Sequence, residues 1–183
     1  ASRRIGLSEM LRAWAIVYLG NLVGAVGTAA LVFLAGQYLY NGGEVGRVAL
    51  GIAQAKAELP FARAFFLGIL CNVLVCLAVW LSFAARSVTD KILAIALPIA
   101  AFVAAGFEHS VANMYFIPLG QLILAWAPES FWTMTGLAPA DYASIGFGGL
   151  AGNLVPVTIG NIVGGGVLVG LVYWFVYLRR REG

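Results

Sequence analysis

Apolar residues in this chain run in long uncharged stretches instead of alternating with polar ones: Ala13 to Gly43, Ala64 to Ala85, Ile92 to Phe107, Ser110 to Pro128 and Tyr142 to Leu178. A helix needs roughly 20 apolar residues to cross the hydrocarbon core of a bilayer. The pattern therefore predicts an all-α, polytopic protein with four crossings: segment a over 10–36, b over 64–85, c over 91–126 and d over 153–178. All four fall in a single membrane domain covering 1–183.

Segment c does not fit one straight span. A continuous helix over 91–126 would reach about 54 Å, against a hydrocarbon core of about 30 Å. The sequence marks where it breaks, at about 106–113: Gly106-Phe107-Glu108-His109-Ser110-Val111-Ala112-Asn113. Non-helical backbone at membrane depth survives only where protein covers it or where it lines a water-filled cavity. Broken helices are also where transporters hold their substrates.

An internal repeat points the same way. Gly20-Asn21-Leu22-Val23-Gly24 in segment a resembles Gly160-Asn161-Ile162-Val163-Gly164 in segment d. The spacing of Gly20 and Gly24, and of Gly160 and Gly164, allows close helix packing. Segments a and d lie three crossings apart and so run in opposite directions, the geometry of an inverted repeat.

Composition sharpens this picture. Hydrophobic residues make up 62% of the chain and charged ones 10%, whereas a soluble domain carries about 25% charged residues. The excess apolar surface faces lipid. A net charge of +3 with scattered cations does not suit a nucleic-acid partner. Arg3, Arg4 and Arg12, then Arg86 and Lys91, then Arg179, Arg180 and Arg181 mark three regions that four crossings place on one side, which the positive-inside rule makes cytoplasmic. The c–d connection has Glu129 and Asp141 and no cation, as an outer connection should; the a–b connection is mixed. Tyr38, Tyr40, Trp126 and Trp132 are expected in the outer aromatic belt, and Tyr173, Trp174 and Tyr177 near the inner end of segment d.

Candidate chemistry concentrates at the break. His109 is the one histidine, and a metal site needs several ligands, so neither metal nor other cofactor is expected. Ser110 follows His109 without a nucleophile elbow, which argues against a serine hydrolase. Cys71 and Cys76, five residues apart on segment b, point in different directions and cannot pair with each other. Ionisable residues at bilayer depth are expensive and are functional by default, which singles out Glu108 and His109.

The residues around the break carry a resemblance. Gly106 to Met114 is similar to the signature of the formate/nitrite transporter family. Asn153-Leu154-Val155-Pro156-Val157-Thr158-Ile159-Gly160-Asn161, followed by Gly164-Gly165-Gly166, resembles the family's last helix, and Gly68 to Trp80 matches within segment b. The resemblance covers about 7–178, and Ile117-Pro118 and the Pro156 region are most similar to the formate branch.

The resemblance implies an aquaporin-like inverted-repeat bundle, assembled as a homopentamer in the cytoplasmic (inner) membrane of a bacterium, with both termini cytoplasmic and one pore per protomer. It implies a channel for a small monovalent anion, formate first, with nitrite or hydrosulfide as alternatives on the same scaffold. His109 corresponds to the central pore histidine and possible proton donor. Glu108, Lys56 and Asn113 correspond to the proton and charge relay. Asn113, Asn72 and Val75 correspond to pore-lining positions, Phe102 to the inner constriction, and Asn161 is placed with them. Family chains are longer by about two helices, so segments a to d correspond to helices three to six. The part before them supplies a second broken helix and the facing pore wall. Two readings of another class compete: a membrane-embedded enzyme using Glu108 and His109 as acid and base, and a purely structural membrane subunit.

Overall fold

A computed structural model describes Ile5 to Arg179. Arg3, Arg4, Arg180 and Arg181, expected as orientation signals, lie outside the described residues. The chain is helical: α1 Leu7–Leu34, a 3₁₀ turn Gln37–Leu39, α2 Glu44–Ala57, α3 Phe61–Ala84, α4 Val88–Ala104, α5 Ser110–Trp126, α6 Glu129–Thr135, a second 3₁₀ turn Pro139–Tyr142, and α7 Phe147–Ile162. Beyond Ile162 the helix continues over Val163–Leu171 and Trp174–Leu178 with i→i+5 bonding.

Three helical runs among the described residues are long and apolar enough to cross a membrane: Leu7–Leu34, Phe61–Ala84 and Pro139–Leu178. The crossing expected over 91–126 is instead two 17-residue helices, α4 and α5. Each is about 25 Å long, short of a core of about 30 Å. The non-helical stretch between them is Ala105–His109, so Ser110 to Asn113, expected within the break, form the first turn of α5. In addition α5 and α6 meet at a bend of 109°.

The break has a local cause. After α4 ends, Gly106 takes a left-handed φ of 67°. Phe107 N–H donates to the Phe102 carbonyl at 3.0 Å, and Gly106 N–H to the Val103 carbonyl at 3.1 Å. This pair of bonds closes a Schellman motif, which turns the chain away from its axis and satisfies the last carbonyls. The other end of α4 is fixed by a capping box. Asp90 N–H donates to Ser87 Oγ, and Ser87 N–H to the Asp90 carboxylate, both at 3.1 Å.

The described residues pack as two compact units. The first contains Phe61–Ser110 and the chain from Val155 onward; the second contains Leu7–Pro60 and Val111–Leu154. In the first, α3 and the second half of α7 pack backbone to backbone: a Cβ at Gly160 would strike the Phe65 carbonyl, and one at Gly164 the Ile69 carbonyl.

The second unit holds an apolar core of Ala29, Phe33, Leu50, Ala53, Ile117, Ile123, Phe131 and Ile145. Tyr38 stacks on Phe33 at 4.9 Å and meets the edge of Phe131 at 5.4 Å. Tyr38 and Trp132, expected in an interfacial belt, are therefore core residues, whereas Tyr40 and Trp126 are exposed. α2 lies in what read as the mixed a–b connection; it buries Gly46, Leu50 and Ala53 on one face. Glu44 at its start pairs with Arg47 at 3.1 Å, and Lys56 lies in its last turn, placements that complement the helix dipole.

Candidate functional site

In the first unit the polar break is held by one side chain. Asn161 Nδ2 donates to the Gly68 carbonyl of α3 at 2.8 Å and to the Glu108 carbonyl at 3.0 Å. Its Oδ1 accepts the Ser110 N–H at 3.0 Å. Both ends of the amide thus serve backbone groups that no regular helix bond would reach. Glu108 N–H also donates to the Leu67 carbonyl, at 3.4 Å. Asn161 reaches these groups because Gly160, Gly164 and Gly68 let the two backbones approach closely: a Cβ at any of the three would strike a carbonyl of the facing helix.

Asn72, one turn beyond Gly68 on α3, is half-buried and donates through Nδ2 to the Asn161 backbone carbonyl at 2.5 Å. This bond lies where α7 changes from i+4 to i+5 bonding, a departure that recurs at functional positions. Val75 is half-buried on the same helix.

Glu108 is 4% exposed. His109 is partly exposed, and its ring lies 6.1 Å from that of Phe102, 26° from parallel. The first unit thus brings together Phe102, Glu108, His109, Asn72 and Asn161 of the expected residues.

In the second unit a separate polar chain joins Lys56 and Asn113. Asn113 Nδ2 donates to Asn153 Oδ1 at 2.7 Å, and Asn153 Nδ2 donates to the Lys56 carbonyl at 2.9 Å. Both asparagines are fully buried. The Lys56 ammonium lies 5.7 Å from the centroid of the Phe116 ring, a cation–π distance. Around the end of α2, Gln54 donates to the Asp141 carbonyl at 2.9 Å, and Glu58 accepts from Gln54 and from Ser144.

The glycines of the repeat differ. Gly160 and Gly164 face α3 closely, whereas a Cβ at Gly20 or Gly24 would meet nothing within 4 Å among the described residues. Sequence reasoning gave no role to Asn153, Gly68 or Leu67. The available signal for Asn153 was an amide within an apolar helix, where an unbonded polar group is costly.

The family profile "Formate/nitrite transporter" matches residues 1–175. The chain is 47% identical over 183 residues to "Formate channel FocA" of Escherichia coli (strain K12), covering 100% of this chain and 64% of that protein. It thus spans slightly under two thirds of that relative's length. Among solved structures, it resembles a "Pentameric formate channel with formate bound" with a TM-score of 0.91 and 48% identity, covering 97% of this chain and 70% of that one. A second, an "FNT family ion channel", gives 0.76 and 34% identity over 93% of this chain and 61% of that one.

Proposed function

The chain belongs to the formate/nitrite transporter family, and from that premise we propose that the full-length protein is a membrane channel for small monovalent anions with formate as its substrate. The observation that carries this reading is the break in the membrane segment at Ala105–His109. It is framed by Asn161 and displays His109 beside Phe102, in a chain 47% identical to a formate channel. We place the protein in the inner membrane of a bacterium, as a homopentamer with cytoplasmic termini. Segments a to d, as one membrane domain, take the places of family helices three to six.

A formate anion entering an apolar constriction loses hydration, which costs several kcal/mol unless its charge is met. Lys56 raises the local anion concentration at the outer mouth. His109 meets the anion at the centre, where a protonated imidazole is both a positive charge and a donor. Transfer of that proton to a formate oxygen gives neutral formic acid, which passes the apolar stretch near Phe102 and Val75. Glu108, Lys56 and Asn113 set the charge state of His109, and Asn72 lines the path. Asn161 belongs to the frame, because its amide is spent on the backbone of the break.

The test is formate uptake into proteoliposomes by the full-length protein. Uptake should rise as pH falls through the range where histidine titrates, and His109→Ala should flatten that rise. Identical pH profiles for variant and wild type would refute proton donation by His109.

A further inference from the structure

The inner half of α7 leaves ordinary helical bonding for longer than a bulge does. Over Val163–Leu171, and again over Trp174–Leu178, its bonds run i→i+5, a pattern that is rare and comes mostly as single turns. A run this long needs a cause, and a side chain inserted into the ladder of helix bonds is a known one. In an α-helix the Asn161 carbonyl accepts the Gly165 N–H. Asn72 Nδ2 of α3 donates to that same carbonyl at 2.5 Å, and the i→i+5 run opens two residues further on. Gly165 makes room for the insertion, since a Cβ there would strike the Asn72 amide.

The internal repeat supplies a control. Gly20-Asn21-Leu22-Val23-Gly24 and Leu31-Val32-Phe33 of α1 match Gly160-Asn161-Ile162-Val163-Gly164 and Leu171-Val172-Tyr173 of α7 in the same register. Yet α1 is one continuous α-helix over Leu7–Leu34. The repeated residues therefore do not dictate i→i+5 bonding. Two things differ. Gly165-Gly166 stand where α1 has Ala25-Val26, and the α1 copy is bare, with nothing within 4 Å of a Cβ at Gly20 or Gly24 among the described residues. Glycine lowers the cost of leaving the α-helix but favours no particular alternative. We propose that Asn72 is a positioning residue that holds the inner half of α7 in its wide i→i+5 form, and so decides which residues of α7 face α3 beyond Asn161.

The consequence is a change of face. Tyr173 meets the edge of Trp80 at 5.9 Å, and these two, with Val169 and Cys76, line an apolar groove of about 740 Å³ between α7 and α3. Continued as α-helix from Gly164, the facing positions would instead be Leu168 and Leu171, at i+4 and i+7. Leu171 is 47% exposed and lies off the groove. Asn161 links this choice to the break: its side chain is spent on Gly68, Glu108 and Ser110, and its carbonyl on Asn72. The inference is independent of which ion the channel carries.

The experiment places cysteine pairs in a cysteine-free form of the full-length protein: Trp80→Cys with Tyr173→Cys, and Trp80→Cys with Leu171→Cys. A short bifunctional thiol reagent links each pair in membranes, and mass spectrometry of the linked peptides reads the yield. With Asn72 in place the Tyr173 pair should link better than the Leu171 pair. Asn72→Ala should shift the ratio of the two yields toward the Leu171 pair by about tenfold, the effect of roughly one hydrogen bond. Should the alanine chain not assemble, Asn72→Leu, which has no donor either, is read in its place and should shift the ratio the same way. A ratio that Asn72 substitution leaves unmoved, including both yields falling in proportion, would overturn the proposal. So would a Leu171 pair that links as well as the Tyr173 pair while Asn72 is present.

Discussion

Replacing Asn161 by leucine tests the frame of the break directly. The side chains share one branched outline of four heavy atoms, leucine being the bulkier, and three hydrogen bonds disappear: those to the Gly68 and Glu108 carbonyls and from the Ser110 N–H. Orphaning three buried groups at about 1–3 kcal/mol each would cost 3–9 kcal/mol. Measured interhelical hydrogen bonds in membranes are weaker, about 0.6 kcal/mol on average and 1.7 at most, which gives a lower figure near 2 kcal/mol. The upper figure overstates the loss, because the Gly68 carbonyl keeps its place in α3 and the Ser110 N–H opens a helix whose first donors accept water when it is present. A loss of about 2–4 kcal/mol is therefore expected, which is some 30- to 1,000-fold in an equilibrium constant.

Asn161→Asp separates the two halves of this effect. The carboxylate still accepts from Ser110 N–H but faces two carbonyls with no donor, so it should be at least as harmful as leucine at neutral pH and should recover in acid as it gains a proton. The assay is thermal unfolding of the purified full-length protein in detergent, followed by formate uptake in vesicles. A leucine variant that melts with wild type and carries formate at the same rate would refute the claim that Asn161 holds the break.

Gly164→Val should weaken assembly more than the added surface suggests, because its Cβ would strike the Ile69 carbonyl and force α3 from α7 one turn beyond Asn161; unfolding in detergent reads the loss. Gly106→Ala should cost about 1–2 kcal/mol from the left-handed φ alone, since a Cβ there meets nothing within 4 Å, and Gly106→Asn should cost less; equal stability in urea titration would count against the Schellman turn as the origin of the break. Lys56→Gln should reduce formate uptake more at low concentration than at saturation, and an equal loss at both would refute electrostatic recruitment.

The helical spans were legible because lipid imposes a strong rule: apolar length reports a crossing whatever the tertiary packing. The break was legible for the same reason, since Glu108 and His109 have no cheap place in a continuous apolar helix. Its extent was not. Ser110 and Asn113 are polar, and the sequence placed them in the interruption. Yet polarity marks a site, not a backbone conformation, and the first turn of a helix receives Ser and Asn readily. The structural stop signal was Gly106, whose position after the last residues of α4 fits a helix terminus.

What escaped the sequence lies outside the simple apolar rule. α2 carries Glu44, Arg47 and Lys56, charges that made it read as a connection. Its buried face is built partly from Gly46 and Ala53, which give a faint periodic signal. α6 has only seven residues, too few for a periodic pattern, and Trp132 within it looked like a belt residue because nothing in the sequence reveals that Tyr38 and Phe131 close over that core.

The two amide nodes explain why asparagine, and not an ionisable residue, holds this architecture. Asn153 and Asn161 lie on one helix, each serving one packed unit. Each must supply both a donor and an acceptor to groups already committed elsewhere, and asparagine does so with a single short side chain. An Asp, Glu or Lys at either position would offer one polarity and would add a charge to a low-dielectric region where charges act strongly. A neutral frame satisfies these backbone and amide groups without adding a charge of its own. A substitution that preserves hydrogen bonding at these nodes should therefore cost far less stability than one that removes it.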